Sequence, residues 1–160
     1  MVRKNIIIKN IQRFARMNSV LLQKVISFVL DKEKIKDKEL TLLLVDDQYI
    51  KKVNKRYLRR TTVTDVISFE YDNVVGDVVL GDVIVSVERA LHQSKRYRKE
   101  FSEEVCLYII HGILHLTGYD DTSKVKASRM KKREAELIKL IKELHGEDVF
   151  DKIARLLIEK

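Results

Sequence analysis

The sequence predicts an α+β fold with a small sheet. Three observations carry that expectation. Apolar, β-branched runs of strand length dominate the first half, at residues 6–8, 40–45, 66–71 and 78–85. Helical periodicity dominates the second half, from residue 87 onward. The chain is 160 residues long with no Pro, a length that fits one domain able to bury its own core. Strands first and helices later is the order of an α+β domain rather than a strictly alternating parallel sheet.

Each element has a local reason. Residues 2–9 read as a strand around Ile6, Ile7 and Ile8. Asn18 can cap a helix to about residue 31, with Leu21, Leu22, Val25, Phe28 and Val29 at helical spacing. Charged residues 32–39 form a loop, and residues 40–45 a second strand. Asp46 or Asp47 then caps a helix in which Ile50, Val53 and Tyr57 form one face. Residues 59–64 are a loop, 66–71 a strand, 72–76 a turn, and 78–85 a strand interrupted at Gly81. Residues 87–98 form a basic helix. Ser102 is the expected cap of the next helix, and Glu103 and Glu104 complement its N-terminal dipole. That helix is apolar nearly all round to Leu116, so it should be buried, and Gly118 fits its C-terminal cap. A charged helix spans about residues 122–144, with Met130, Leu137 and Ile141 inward, and Gly146 ends it. Val149, Ile153, Leu156 and Leu157 share one side of a short amphipathic tail.

Composition narrows the function classes. Lys and Arg number 32 against 24 Asp and Glu, a formal net charge of +8 that hints at a polyanionic partner. A single Cys excludes an intramolecular disulfide framework and a thiolate zinc site. Cys106 itself reads as a buried small hydrophobe, and His92 and His145 as exposed. The longest apolar stretch, residues 105–116, holds two His and is too short to span a bilayer, so no membrane is expected. Residues 1–30 carry six basic residues and no acid, like a transit peptide. The strand at Ile6 and the core helix after Asn18 favour a mature N-terminus and a cytoplasmic protein instead.

The chemistry concentrates at residues 111–121, His-Gly-Ile-Leu-His-Leu-Thr-Gly-Tyr-Asp-Asp. His111 and His115 are four apart, so both imidazoles leave one face of a helix and can share one metal ion. Gly118 can turn the chain back so that a residue beyond it supplies a third ligand. Asp121 sits at the spacing of the third ligand in metzincin-type zinc sites, with Asp120 as its rival. A carboxylate is a legitimate zinc ligand, but the extra negative charge weakens Lewis acidity or favours a harder metal, so another divalent cation is also accommodated. Zinc peptidases of this spacing carry a general-base Glu directly after the first His. Gly112 stands there, which lowers the expectation of amide hydrolysis. No P-loop, G-x-S-x-G or G-x-G-x-x-G pattern is present.

Basic residues fall in acid-free stretches at 51–60, 89–99 and 124–133, besides the N-terminal one. Singly, each reads as a solvated helix face. Together, with one directly after the metal motif, they point to a nucleic-acid surface converging on the metal. Tyr57 and Tyr97 lie within two of these stretches. Core packing is the first expectation for each and base stacking the second.

These residues resemble the YbeY family of bacterial endoribonucleases and rRNA maturation factors. Residues 111–120 match every fixed position of a signature close to H-G-x-L-H-L-x-G-Y-D-H. Val53-Asn54 with Tyr57, then Thr64-Asp65-Val66-Ile67-Ser68-Phe69, resemble the family's L-N-x-x-Y-R and T-D-V-L-S-F, and residues 80–86 its L-G-D-I-x-I-S strand. The resemblance covers about residues 5–144. It implies one domain over residues 1–160, with 145–160 a helical extension. The fold it implies is zinc-hydrolase-like, a small mixed sheet of about four strands packed with about five to six helices.

The resemblance further implies a metal-dependent, single-strand-specific endoribonuclease of 16S rRNA 3′-end maturation and ribosome quality control. RNA and the small ribosomal subunit are the implied partners and Zn2+ the implied cofactor. The family's three His ligands fall on His111, His115 and Asp121, so the third departs from the pattern. The family's Arg after the motif Tyr falls on Leu58, and Arg59 is the expected replacement at the phosphate. Lys55, Arg56 and Arg60 are the expected substrate-binding neighbours. The nucleophile is metal-bound water or the substrate's own 2′-OH. Two other readings remain at this stage: a metal-dependent peptidase or other hydrolase, and a non-enzymatic RNA-binding assembly factor.

Overall fold

A computed structural model describes residues 5–58, 64–71, 76 and 78–157 of the chain. The first strand, β1 (Ile6–Asn10), is followed by a short strand β2 (Ala15–Met17) and helix α1 (Ser19–Lys32). Next come β3 (Glu39–Val45), α2 (Asp47–Leu58), β4 (Val66–Phe69) and β5 (Val79–Ser86). Helices α3 (Val87–Tyr97), α4 (Phe101–Leu116), α5 (Lys124–His145) and α6 (Val149–Ile153) lead to a last strand, β6 (Ala154–Leu156). The α+β class and the mixed sheet are as expected.

The four-stranded sheet has the order β1-β3-β5-β4. β1 and β5 both pair with β3 in parallel, and β4 pairs with β5 antiparallel. The main core lies on one face, where Leu40, Leu42, Leu44, Val83 and Val85 meet α1, α4, α5 and α6. A smaller cluster of Val45, Ile50, Ile67 and Ile84 lies on the other face under α2. Both faces are covered, which is why β3 and β5 read as unbroken apolar runs rather than alternating ones.

α4 is the central helix. It buries Val105, Ile109, Ile110, Ile113 and Leu114 almost completely. At about 1.5–3 kcal/mol per fully buried aliphatic side chain, that packing comfortably outweighs the cost of carrying two imidazoles on its last turns. Gly112 lets α4 approach the sheet. A Cβ there would lie 2.5 Å from Val83 Cγ1 and 3.0 Å from Val66 Cγ2. The Ser68 hydroxyl of β4 donates to the Gly112 carbonyl at 2.8 Å, tying the edge strand to the helix.

The structure revises several local expectations. Asn18 caps α1 through its Oδ1, and Asp46, not Asp47, caps α2 by accepting from the Tyr49 amide at 2.8 Å. Ser102 does not cap α4. The helix begins at Phe101, and the Ser102 hydroxyl is drawn instead to Asp151 on α6 at 2.5 Å. Ser123 caps α5. β5 is not broken at Gly81; its pairing with β3 shifts register there and continues. Tyr57 does not join the buried face of α2. Asn54 takes the inward position, and Tyr57 is 61% exposed. Tyr97 is likewise exposed. His145 is half-buried where α5 turns toward α6, whereas His92 is exposed as expected. The tail is not purely helical. After α6, β6 pairs antiparallel with β2, and Ala15 and Ala154 turn into the main core; Leu157 is exposed. Residues 59–63, expected as a loop, and residues 72–75 lie outside the described residues. No described helix is long and apolar enough to cross a membrane.

Candidate metal centre

The last two turns of α4 carry His111 and His115, and the loop after it carries Asp121. The helix ends in a Schellman turn. The Gly118 amide donates to the His115 carbonyl at 3.3 Å, and the Tyr119 amide to the Leu114 carbonyl at 3.0 Å. Gly118 adopts φ +111°, a backbone region that L side chains rarely enter. This reversal brings residue 121 back over the helix end.

Three donor atoms converge there. The two Nε2 atoms of His111 and His115 are 3.1 Å apart. Asp121 Oδ2 lies 3.7 Å from each of them. Tetrahedral ligands about 2.0–2.1 Å from a shared zinc ion stand roughly 3.3–3.4 Å from one another. The three atoms therefore already sit near the separations that a bound divalent cation requires, and this group can hold a metal. Asp120, the rival for the third position, is committed elsewhere. Its carboxylate accepts from the Thr122 amide and hydroxyl and from Lys126, and the Thr122 bonds come first in holding its pKa below the usual range.

Behind His111 stands a residue that the sequence reading missed. Glu134 of α5 is buried, and its Oε1 lies 3.1 Å from His111 Nδ1. A carboxylate at that nitrogen holds the proton on Nδ1 and turns the Nε2 lone pair toward the other two donors. Burial disfavours the His111 imidazolium. The hydrogen bond and charge of Glu134, with Asp121 and Asp65, outweigh that burial and leave the pKa raised. The signal for Glu134 lay in its position. Met130, Glu134, Leu137 and Ile141 form the buried stripe of α5, and a carboxylate in an apolar stripe needs a partner.

The donor atoms open into a cleft of about 770 Å³ over the edge strand β4. Its walls include Asn54 and Leu58 of α2, residues 64–68 and Glu70, and the loop 118–121. Four carboxylates, Asp65, Glu70, Asp120 and Asp121, line it, and no Lys or Arg does so among the described residues. An anionic substrate entering this cleft meets repulsion unless a cation sits among the carboxylates. Lys55 and Arg56 project from the exposed side of α2, beside the cleft rather than in its wall. Arg59 and Arg60 lie outside the described residues.

The basic stretches divide among several roles. Arg89 pairs with Asp47 at 2.8 Å, and Arg133 with Glu33 at 2.7 Å, so these two serve the fold. Lys99 and Lys131 line a second groove of about 670 Å³ that shares Asp65, Val66, His111 and Asp121 with the first. Cys106 is buried, and that burial pushes its thiol well up, which excludes it as a thiolate ligand.

Known proteins share this architecture. The family model described as Endoribonuclease YbeY matches residues 7–142. The chain is 40% identical over 113 residues to the Endoribonuclease YbeY of Flavobacterium johnsoniae, covering 71% of this chain and 80% of that protein. It is 34% identical over 140 residues to that of Endomicrobium trichonymphae, covering 88% and 97%. It is 38% identical over 142 residues to that of Syntrophotalea carbinolica, covering 85% and 95%. Among solved structures, the solution structure of TM1509 from Thermotoga maritima aligns with a TM-score of 0.58 at 26% identity, covering 89% of this chain and 95% of that one. The chain belongs to the YbeY endoribonuclease family, enzymes that hydrolyse RNA phosphodiester bonds.

Proposed function

We propose that this endoribonuclease is metal-dependent and specific for single strands, and that it acts in 16S rRNA 3′-end maturation and ribosome quality control. The small ribosomal subunit is its partner and the cytoplasm its location. Residues 1–160 act as one domain. One observation carries the metal dependence: three donor atoms from α4 and the loop after it converge within a carboxylate-lined cleft, with Glu134 fixing one of them from behind.

His111, His115 and Asp121 hold the cation, with zinc the first assignment. When bound, a divalent cation supplies Lewis acidity at a phosphoryl oxygen and lowers the pKa of water beside it. The chain's own residues do the rest. Glu134 keeps the His111 proton on Nδ1. Ser68 and Gly112 pin α4 to β4, so the donor atoms keep a fixed distance from the cleft wall. Arg59 supplies the positive charge that the described wall lacks, at the phosphate whose charge grows in the transition state. Lys55, Arg56 and Arg60 attract the flanking phosphates.

Gly112 speaks against the peptidase reading. The position that would hold a general-base carboxylate is pressed against Val83 and Val66, so no longer side chain fits. The test is cleavage of single-stranded RNA by the purified chain, with analysis of the new ends. Products with 2′,3′-cyclic phosphate identify the substrate's 2′-OH as nucleophile, and 5′-phosphate with 3′-hydroxyl ends identify water. Cleavage of a peptide, lost in His111→Ala, with RNA untouched, would overturn the assignment.

A further inference from the structure

An aromatic group stands next to the cleft and has no part in the chemistry above. Tyr57 lies in the last turn of α2, three residues after Asn54 and one before Leu58, and both of those line the cleft. Residues three apart share a helix side, so Tyr57 sits at the rim rather than on the far face. Its ring is 61% exposed. Phe69, at the end of β4, braces it edge-to-face with ring centroids 5.7 Å apart and planes at 73°. Phe69 is itself anchored in the small core under α2. The Arg56 guanidinium lies 5.4 Å from the Tyr57 ring centroid. Beyond the strand, Tyr71 is 48% exposed and its hydroxyl donates to the Asp82 carboxylate.

The exposed ring is held in place by a partly buried neighbour, so an occupant meets it already ordered. The surrounding charge identifies what would cover it. Lys51, Lys52, Lys55 and Arg56 are all exposed on the same helix, so the occupant is anionic. An occupant that is anionic along its backbone and flat and aromatic along its side groups is a single-stranded nucleic acid, whose unpaired bases stack on Tyr and Arg while the phosphates meet Lys and Arg. The geometry points to Tyr57, braced by Phe69 and flanked by Arg56, as a stacking platform for an unpaired base of the RNA strand next to the scissile phosphate. The inference rests on the endoribonuclease reading and adds to it where the strand lies and why it must be single. A paired base has both faces covered by its own neighbours and offers none to Tyr57.

Tyr97 provides an internal control. It is 57% exposed, and Arg96 stands 5.4 Å from its ring, but it lies on α3, none of whose residues lines the cleft, whereas Tyr57 lies between Asn54 and Leu58, which both do. The experiment measures the anisotropy of a fluorescent single-stranded RNA with the parent chain and with Tyr57→Leu, Tyr57→Phe and Tyr97→Leu. Losing one stacked base weakens binding between about fivefold and about a hundredfold, and that is the loss expected for Tyr57→Leu. Tyr57→Phe, which keeps the ring, stays within about twofold of the parent, and Tyr97→Leu is unchanged. In the parent, one abasic position in the RNA reproduces the loss, and Tyr57→Leu adds nothing further to it. The proposal is overturned if the parent cleaves the RNA while Tyr57→Leu binds it equally well. It is also overturned if Tyr57→Phe is as weak as Tyr57→Leu, or if the abasic and Leu effects simply add. A parent that neither binds nor cleaves RNA would instead defeat the endoribonuclease reading itself.

Discussion

Glu134 Oε1 lies 3.1 Å from His111 Nδ1, joining α5 to the His111–His115 face of α4 across 23 residues of chain. The contact sets which ring nitrogen of His111 carries the proton. It also gives the buried carboxylate a partner, without which its charge in an apolar stripe would be costly. One hydrogen bond thus serves both the packing of α5 and the readiness of the donor set.

Glu134→Leu keeps the stripe of α5 apolar and removes the group that orients His111. Divalent-cation affinity is expected to fall about 10- to 100-fold, the usual effect of losing such a supporting residue. Competition with a chromogenic chelator measures it. Unchanged affinity would show that His111 needs no orienting partner.

Asp121→Ala removes a donor atom, so its effect exceeds the roughly 10- to 100-fold loss typical of a supporting residue. Asp121→His replaces a hard carboxylate by an imidazole and is expected to restore affinity, with selectivity for zinc over harder divalent cations increased. The two titrations, run side by side, test whether Asp121 is a ligand. Equal zinc affinity in the parent and Asp121→Ala would remove it from the site.

Gly112→Ala tests the close approach of α4 to the sheet. Ala is the better helix former by up to about 1 kcal/mol. Against that, its Cβ would meet Val83 Cγ1 at 2.5 Å, and Val83 is wholly buried. Overpacking of this kind costs about 1–3 kcal/mol and should win. With the helix gain subtracted, a net cost of up to about 2 kcal/mol corresponds to a drop of up to roughly 8 °C in the thermal midpoint at this chain length. A rise would mean that the sheet yields.

The fold was legible where the reasons are local. Asn18, Gly118 and the His111–His115 pair act within a turn or two of helix, and the strands announce themselves by composition. What escaped the sequence depends on distant partners. β2 and β6 are three residues each and pair across nearly the whole chain, so neither carries a periodic signal of its own. Ser102 looks like a cap until Asp151 claims its hydroxyl. Tyr57 has the right spacing for a buried face, but Asn54 occupies that face because α2 ends at the rim of a polar cleft. Glu134 was the readable miss, a charge in register with Met130, Leu137 and Ile141.

Tyr71 gives a pH signature of the rim. Its hydrogen bond to Asp82, then burial and the Asp82 charge, push its phenol up to about 12. The folded state therefore favours the neutral phenol. Its stabilising effect is complete below the ordinary phenol pKa of about 10 and is lost as pH rises through about 12. Absorbance at 295 nm, parent minus Tyr71→Phe, is expected to titrate near the upper value. A midpoint near the ordinary value would contradict the Asp82 bond.

The most direct test of the metal-dependent account is metal analysis of the purified chain beside cleavage of a single-stranded RNA, repeated for His115→Ala. The His115 side chain is part-exposed, so the variant should keep its fold. The account predicts stoichiometric divalent cation and cleavage in the parent, and neither in the variant. Undiminished cleavage by a chain free of stoichiometric metal, or by His115→Ala, would contradict it.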